Sequence, residues 1–155
     1  YYLSDNNRFN DNTAFEEWMW DASIIVAALA MFPAHASAEA WREKLIEMSD
    51  SPIGSSGAKC VAAAVTFCEH LTEMKLNNCM IKDSGAKALF DEMTQSRSLI
   101  TVNLSNNPIT EKSFDSLAAL LTKNTTIKTV SLFNISVKSK MAWSKLSKFG
   151  DRVKH

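Results

Sequence analysis

The chain has 155 residues, of which 46% are hydrophobic and 22% are charged, and its 17 basic and 17 acidic residues balance. A chain of this length is expected to form one domain around one core, and its apolar content argues against disorder. A net charge of zero gives no support to a nucleic-acid-binding function for the chain as a whole. The charges are unevenly distributed, however: residues 1–50 hold nine acidic and three basic residues, whereas residues 138–155 hold six basic residues and one acidic residue.

The first 42 residues are predicted to form an N-terminal arm followed by a helical cap. Residues 1–13 are polar and rich in Asn and Asp, as in a loop. From Ala14 to Phe32 the apolar residues fall at helical spacing, and Pro33 ends that helix. A second helix is predicted from Ser37, an N-cap candidate. The apolar run from Ala22 to Phe32 is far too short for the roughly 20 residues of a membrane span, so no span is predicted.

The rest of the chain repeats every 28 residues. The segment from Leu71 and the segment from Leu99 have coinciding apolar positions without a gap. Both fit the pattern L-x-x-L-x-L-x-x-N/C-x-L. The matching residues are Leu71, Met74, Leu76, Cys79 and Ile81 in the first segment, and Leu99, Val102, Leu104, Asn107 and Ile109 in the second.

These segments resemble the long leucine-rich repeats typified by ribonuclease inhibitor, the sensor ends of NOD-like receptors and the tropomodulins. The resemblance implies an α/β solenoid with parallel strands on the concave face, helices on the convex face, and helical N- and C-terminal caps. It also implies that the side chains of Cys79 and Asn107 lie where the chain leaves the strand and, as in the family, bond the turn backbone inside the stack.

The periodicity within a repeat agrees with that fold. The first part alternates apolar and polar residues, which predicts a strand with Met74 and Leu76, and their counterparts in later repeats, pointing inward. The second part has helical spacing and packs behind the strands. Its predicted inward residues are Ala86, Leu89 and Met93 in one repeat, and Phe114, Leu117 and Leu121 in the next.

Four repeats are predicted, near residues 43–70, 71–98, 99–126 and 127–155. The first repeat departs from the pattern at its first position, where Glu43 replaces the leucine, but its Gly57-Ala58-Lys59 recurs as Gly85-Ala86-Lys87. The last is a degenerate capping repeat, because Ile135 replaces the Asn or Cys and the segment turns basic. Together they form the repeat domain, residues 43–155, which follows the arm and cap of residues 1–42.

The tail, residues 136–155, is predicted to be a basic amphipathic helix. Its apolar stripe is expected to cover the open end of the last repeat; the residues of that stripe are Ala142, Leu146, Phe149 and Val153. Lys145, Lys148 and Arg152 lie on another face, and the lysines are expected to stay in water. A helix of this kind also suits an acidic surface, and membrane, calmodulin and nucleic acid remain alternative partners.

No enzyme is predicted, and no catalytic, cofactor-binding or metal-binding residue is assigned. The segment 54–59 lacks the G-x-x-x-x-G-K-[ST] spacing of a phosphate-binding loop. Cys68 and His70 are two residues apart on a predicted helix end and therefore point in different directions. Three cysteines at no metal-like spacing favour a reducing compartment. We expect an intracellular protein, cytoplasmic or organellar. The chain begins with Tyr1, which leaves open that it is a fragment whose targeting segment lies outside it.

The strand residues that alternate with the core residues are the candidate binding site for a protein partner. They are predicted to project onto the concave face, and they are Glu47, Glu73, Lys75, Asn77, Thr101, Asn103, Ser105, Thr129, Ser131 and Phe133. The predicted function is a non-catalytic protein–protein interaction module, a scaffold or a subunit of a larger assembly. The alternatives are an actin-filament regulator resembling tropomodulin and a sensor fragment of the NOD-like-receptor type.

Overall fold

The computed structural model of the protein describes residues 49–50, 52–65 and 71–155. Its helices and strands are α1 (Gly54–Val65), β1 (Glu73–Lys75), α2 (Asp83–Met93), β2 (Thr101–Asn103), α3 (Phe114–Lys123), β3 (Thr129–Ser131) and β4 (Val153–Lys154). Two 3-10 helices, Glu111–Ser113 and Lys140–Arg152, precede α3 and β4 respectively. The predicted arm and helical cap, residues 1–42, lie outside the described residues. None of the helices within the described ranges has the length and apolar character needed to cross a membrane.

The four strands form one parallel sheet in the order β1-β2-β3-β4. Met74 pairs with Val102, and Val102 pairs with Val130, so the first three strands join residues 28 positions apart. Parallel strands need a long crossover, and a helix fills each connection among these three strands. The predicted α/β fold with a parallel sheet is therefore confirmed.

The core lies between one face of this sheet and the helices. Met74, Val102 and Val130 are at most 1% exposed, and in each strand they stand between two half-buried neighbours. The helices contribute the predicted inward residues, all of them buried: Ala86, Leu89, Met93, Phe114, Leu117 and Leu121. Burying one such large aliphatic side chain contributes about 1.5–3 kcal/mol relative to leaving it exposed.

A glycine allows α1 and α2 to pack closely. A Cβ atom on Gly85 would lie 2.8 Å from the Cα of Ser55 and 3.0 Å from the Cβ of Ala58. Gly85 belongs to the recurring Gly-Ala-Lys triplet, and its counterpart Gly57 is buried in α1. The triplet therefore reflects helix packing, and it lies in the first turns of a helix as the repeat predicts.

Side chains at the start of each helix bind the backbone of the next repeat. The acceptors Ser55, Asp83 and Glu111 are spaced 28 residues apart, and each accepts from a backbone N–H in the following connection. The pairs are Lys82 N to Ser55 Oγ at 3.0 Å, Thr110 N to Asp83 Oδ1 at 2.9 Å, and Lys138 N to Glu111 Oε2 at 3.3 Å. These bonds fix the spacing of successive repeats on the helix side of the sheet.

The tail differs from the predicted α-helix. Residues Lys140–Arg152 form a 3-10 helix with a break at Gly150, and Val153 lies in β4 and pairs with Val130. A 3-10 helix has three residues per turn, so the side packed on the core carries Trp143, Leu146 and Phe149 at spacing three. Leu146 is 3% exposed, as the apolar stripe predicted, but Val153 is buried as a strand residue.

Two further features explain this change. Ser144 Oγ donates to the Met141 carbonyl at 2.6 Å, and Ser147 Oγ donates to the Ser144 carbonyl at 2.8 Å; both bonds support a three-residue turn. Arg152, predicted to share a face with the lysines, donates from its guanidinium to three backbone carbonyls. Tertiary bonds at Arg152 and the pairing of β4 thus set the conformation of the tail.

Candidate functional site

The face of the sheet opposite the helices carries most of the predicted partner-binding residues. Because successive side chains of a strand point to opposite faces, the neighbours of the buried central residues project away from the core. They are all half-buried: Glu73 and Lys75 of β1, Thr101 and Asn103 of β2, and Thr129 and Ser131 of β3. We call these six residues the open sheet face. Its only charges are Glu73 and Lys75, so it is a polar and nearly neutral surface.

Asn107 holds the backbone beside this face in place. It is 2% exposed, and its Oδ1 accepts from the backbone N–H groups of Cys79 and Ile81, both at 3.0 Å. Its Nδ2 donates to the carbonyls of Leu76 at 2.8 Å and Leu104 at 2.9 Å. One carboxamide therefore ties the turns of two successive repeats together, as the resemblance implied for this position.

Cys79 occupies the matching position one repeat earlier. Its side chain is fully buried, and its Sγ lies 3.4 Å from the carbonyl oxygen of Asn77. This contact lies within its own repeat, and Asn107 also bonds the preceding one. Cys60 is half-buried in α1, and neither of these two thiols is part of a disulfide.

The predicted site residues at the strand ends differ in placement. Phe133 is 51% exposed. Ser105 is only 6% exposed, and its Oγ accepts from the backbone N–H of Phe133 at 3.1 Å. Asn77 is half-buried and accepts from Ser49 Oγ at 2.7 Å. The expectation that Ser105 projects openly is wrong, because its hydroxyl is turned onto the backbone of the next repeat. Glu47 lies outside the described residues.

A ladder of one carboxylate and three carboxamides borders the open sheet face and was not predicted from the sequence. Its members follow the strands at 28-residue spacing and have φ angles between 54° and 62°: Asp50, Asn78, Asn106 and Asn134. Asn78 Nδ2 donates to Asp50 Oδ1 at 2.8 Å, and Asn134 Nδ2 donates to Asn106 Oδ1 at 2.9 Å. Asn and Asp tolerate left-handed backbone better than most residues. Their recurrence every 28 residues is therefore the sequence feature from which this ladder could have been predicted.

These side chains line a shallow polar groove of about 570 Å³, together with Asn107, Pro108 and Ser136. Within the described ranges, no group of three or more His, Cys, Asp or Glu side chains could hold a metal ion. Apart from the carboxylate of Asp50, the polar side chains of this lining are neutral amides and a hydroxyl, which offer hydrogen bonds in both directions. The arrangement is suited to recognition of a partner.

Comparisons with known proteins agree with the fold. The Leucine Rich repeat family model matches residues 67–90. The chain is similar in structure to a protein titled Leiomodin-1 Actin-Binding Site 2, with a TM-score of 0.62 and 18% identity over 70% of this chain. It covers 66% of that protein, slightly less than two thirds. The structural similarity shows a shared fold, and at 18% identity it shows nothing beyond the fold.

A second similar structure is the tropomodulin C-terminal domain from Caenorhabditis elegans. The TM-score is 0.45 and the identity 16%, over 85% of this chain and 92% of that domain. A TM-score this low supports no inference about the fold or the function of the chain. A search of curated protein sequences found no match to the chain.

Proposed function

Because this chain is a leucine-rich repeat protein, we propose that it acts as a non-catalytic protein-interaction module that binds its partner on the open sheet face. It serves as a scaffold or a subunit of a larger assembly. The partner contacts the residues of that face together with two strand-end residues, the half-buried Asn77 and the exposed Phe133. Glu47 is included in the proposed site on its sequence position alone, because it lies outside the described residues.

The observation that carries this proposal is the rigidity of the polar face. Its side chains stand on strands whose backbone is paired on both sides in β2 and β3, and Asn107 anchors the adjoining turns. Association is weakened by every group that must be ordered on binding. A surface whose backbone is already ordered therefore gives up little conformational freedom when a partner docks.

Phe133 supplies the strongest single contact. It is the one aromatic residue of the candidate set, and half of its surface is exposed. Binding energy in interfaces concentrates in a few residues, with aromatic side chains prominent among them. The polar side chains of the open sheet face then provide register and specificity around this anchor.

The test is to capture partners on the immobilised chain and identify them by mass spectrometry, comparing the parent with Phe133→Ala. Met141→Ala is the matched control, because Met141 is 83% exposed but lies on the C-terminal 3-10 helix. We expect Phe133→Ala to weaken capture of a specific partner by at least about tenfold, equivalent to 1.4 kcal/mol. Equal capture by the parent and both variants would refute binding at this face.

A second candidate function is actin binding. Its support is the similarity in fold to the leiomodin-1 structure whose title names an actin-binding site. Co-sedimentation of the chain with filamentous actin tests it directly. Pelleting that depends on actin, and that Phe133→Ala reduces while Met141→Ala does not, would make actin the partner of the open sheet face. A chain that stays in the supernatant at all actin concentrations would eliminate this candidate.

The proposed location is intracellular. Its support is the pair of cysteines, Cys60 and Cys79, that carry thiols in this fold. Disulfides are rare in reducing compartments and common outside them. Fractionation of cells that express the tagged full-length protein checks this location, and recovery of the chain from the secreted fraction would contradict it.

A further inference from the structure

The C-terminal end of the sheet carries a basic surface formed by Lys138, Lys140, Lys145 and Lys148. All four side chains are exposed. Lys145 pairs with Asp115 at 2.9 Å, but both side chains are largely in water, at 54% and 80% exposed. Among the described residues, no ion pair involves the other three lysines. We call these four residues the basic end surface.

The packing of the 3-10 helix explains why this surface faces outward. One side of the helix is occupied by Trp143, Leu146 and Phe149, which contact the core. With three residues per turn, Lys145 and Lys148 share a different side. Met141, in the first turn of the same 3-10 helix, is 83% exposed. The segment thus combines positive charge with one uncovered apolar side chain.

The complementary charge lies at the other end of the chain. Residues 1–50 hold nine acidic and three basic residues, whereas residues 51–137 are nearly balanced, with eight basic and seven acidic residues. The backbone N–H of Asp50 donates to the Asn77 carbonyl at 3.0 Å, next to β1. The basic end surface adjoins β4, at the opposite edge of the sheet. The acidic segment of the sequence therefore joins the described repeats through Asp50, beside β1, and the basic end surface lies at the other edge of the sheet.

We propose that the basic end surface of one copy binds the acidic residues 1–50 of a second copy, head to tail. Complementary charges steer two surfaces together and set their orientation. A head-to-tail contact is heterologous, so the copies at the two ends of an open assembly keep an unused head or tail, and the assembly grows with concentration. Individual surface ion pairs are weak, so the association is reversible and is screened by salt.

The experiment measures the mass of the full chain by sedimentation and light scattering across protein concentration and salt. At about 0.01 M ionic strength, where the Debye length is about 30 Å, the mass should rise with concentration beyond that of a dimer. At about 1 M, where this length is about 3 Å, the chain should be monomeric.

The triple variant Lys138→Glu, Lys140→Glu, Lys148→Glu should be monomeric at both salt concentrations. A matched control with equal net charge is Lys59→Glu, Lys87→Glu, Lys112→Glu, at three exposed lysines elsewhere, and it should still associate.

An exchange of charges between two variants then tests whether residues 1–50 are the segment that binds the basic end surface. The head variant Asp5→Lys, Asp11→Lys, Glu17→Lys should be monomeric alone and should associate when mixed with the basic-end variant. A parent that is monomeric at low salt would overturn the proposal, even if its lysines bound anionic vesicles or nucleic acid. Association that survives the basic-end variant, or a mixture that forms no complex, would also overturn it. None of these variants alters the open sheet face, so the proposed function is tested separately.

Discussion

Asn124 and Arg152, 28 residues apart, make equivalent hydrogen bonds in successive repeats. Asn124 Nδ2 donates to the carbonyls of Met93 and Ser96 at 3.0 and 2.8 Å. Arg152 donates to the carbonyls of Leu121 and Asn124 at 2.8 and 2.7 Å, and these carbonyls lie 28 residues after the first two. Each side chain thus satisfies the open carbonyls at the end of the preceding helix. The last repeat therefore keeps the hydrogen-bonding pattern of the preceding one, although its sequence no longer matches the repeat pattern.

Replacing Arg152 by alanine should therefore destabilise the chain. Three backbone carbonyls would lose their donor, including that of Ile127 at 3.0 Å, and each unsatisfied buried group costs about 1–3 kcal/mol. Arg152→Lys should recover only part of the loss, because an ammonium group lacks the planar fork of guanidinium. Thermal or denaturant unfolding measures both changes. Lys148→Ala, at an exposed neighbour, is the control, and a loss there as large as that at Arg152 would contradict the assigned role.

The two full repeats were predictable because their signals are local and repeated. Strand alternation and helical spacing recur at one period, so each repeat supports the assignment of the other. The bonding role of Asn107 followed from the family resemblance. All of the core positions assigned in these two repeats are buried.

The tail was not predictable in the same way. Apolar residues at positions 142, 143, 146, 149 and 153 fit spacings of both three and four, so the pattern does not distinguish a 3-10 helix from an α-helix. The choice depends on the pairing of Val153 with Val130 and on the bonds of Arg152, which are tertiary. Ser105 was misplaced for a similar reason, since its burial comes from a bond to the following repeat.

Replacing Leu104 by alanine should be severely destabilising. Leu104 is fully buried after β2, with repeats on both sides, and such a truncation leaves a cavity and costs about 2–5 kcal/mol. Thr101→Ser, on the open sheet face of the same strand, should change the free energy of unfolding by less than about 0.5 kcal/mol. Denaturant unfolding of both variants tests the register, and equal midpoints would show that it is wrong.

Replacing Gly85 by alanine should destabilise the chain, although alanine is normally the better helix former by about 1 kcal/mol. The new Cβ would lie 2.8 Å from the backbone of Ser55, so α1 must move away from α2. Overpacking of this kind costs about 1–3 kcal/mol. Ser84→Ala, at the exposed preceding position, is the control. A higher melting temperature for Gly85→Ala than for the parent would show that the two helices pack less closely than described.

The Cys79 thiol should be protected in the native chain. Its side chain is fully buried, whereas that of Cys60 is half-buried, so peptide mapping after brief treatment with a thiol reagent should show Cys60 labelled first. Cys79→Asn should still fold, because Asn107 fills the matching position one repeat later. Labelling of native Cys79 as fast as in denaturant, or failure of Cys79→Asn to fold, would argue against this placement.

Deleting residues 140–155 should destabilise the chain and cause it to aggregate. The deletion removes β4, the buried Leu146 and the donors of Arg152, and it leaves β3 as an open edge beside Val130 and Leu132. An exposed strand edge pairs readily with other chains. The point variant Val153→Asp should reproduce the loss of stability, while Met141→Asp, at an 83% exposed site, should not. Thermal unfolding and light scattering at high salt, where charge-driven association is screened, measure both effects. An unchanged monomeric melt for the truncated chain would show that the tail is a detachable arm.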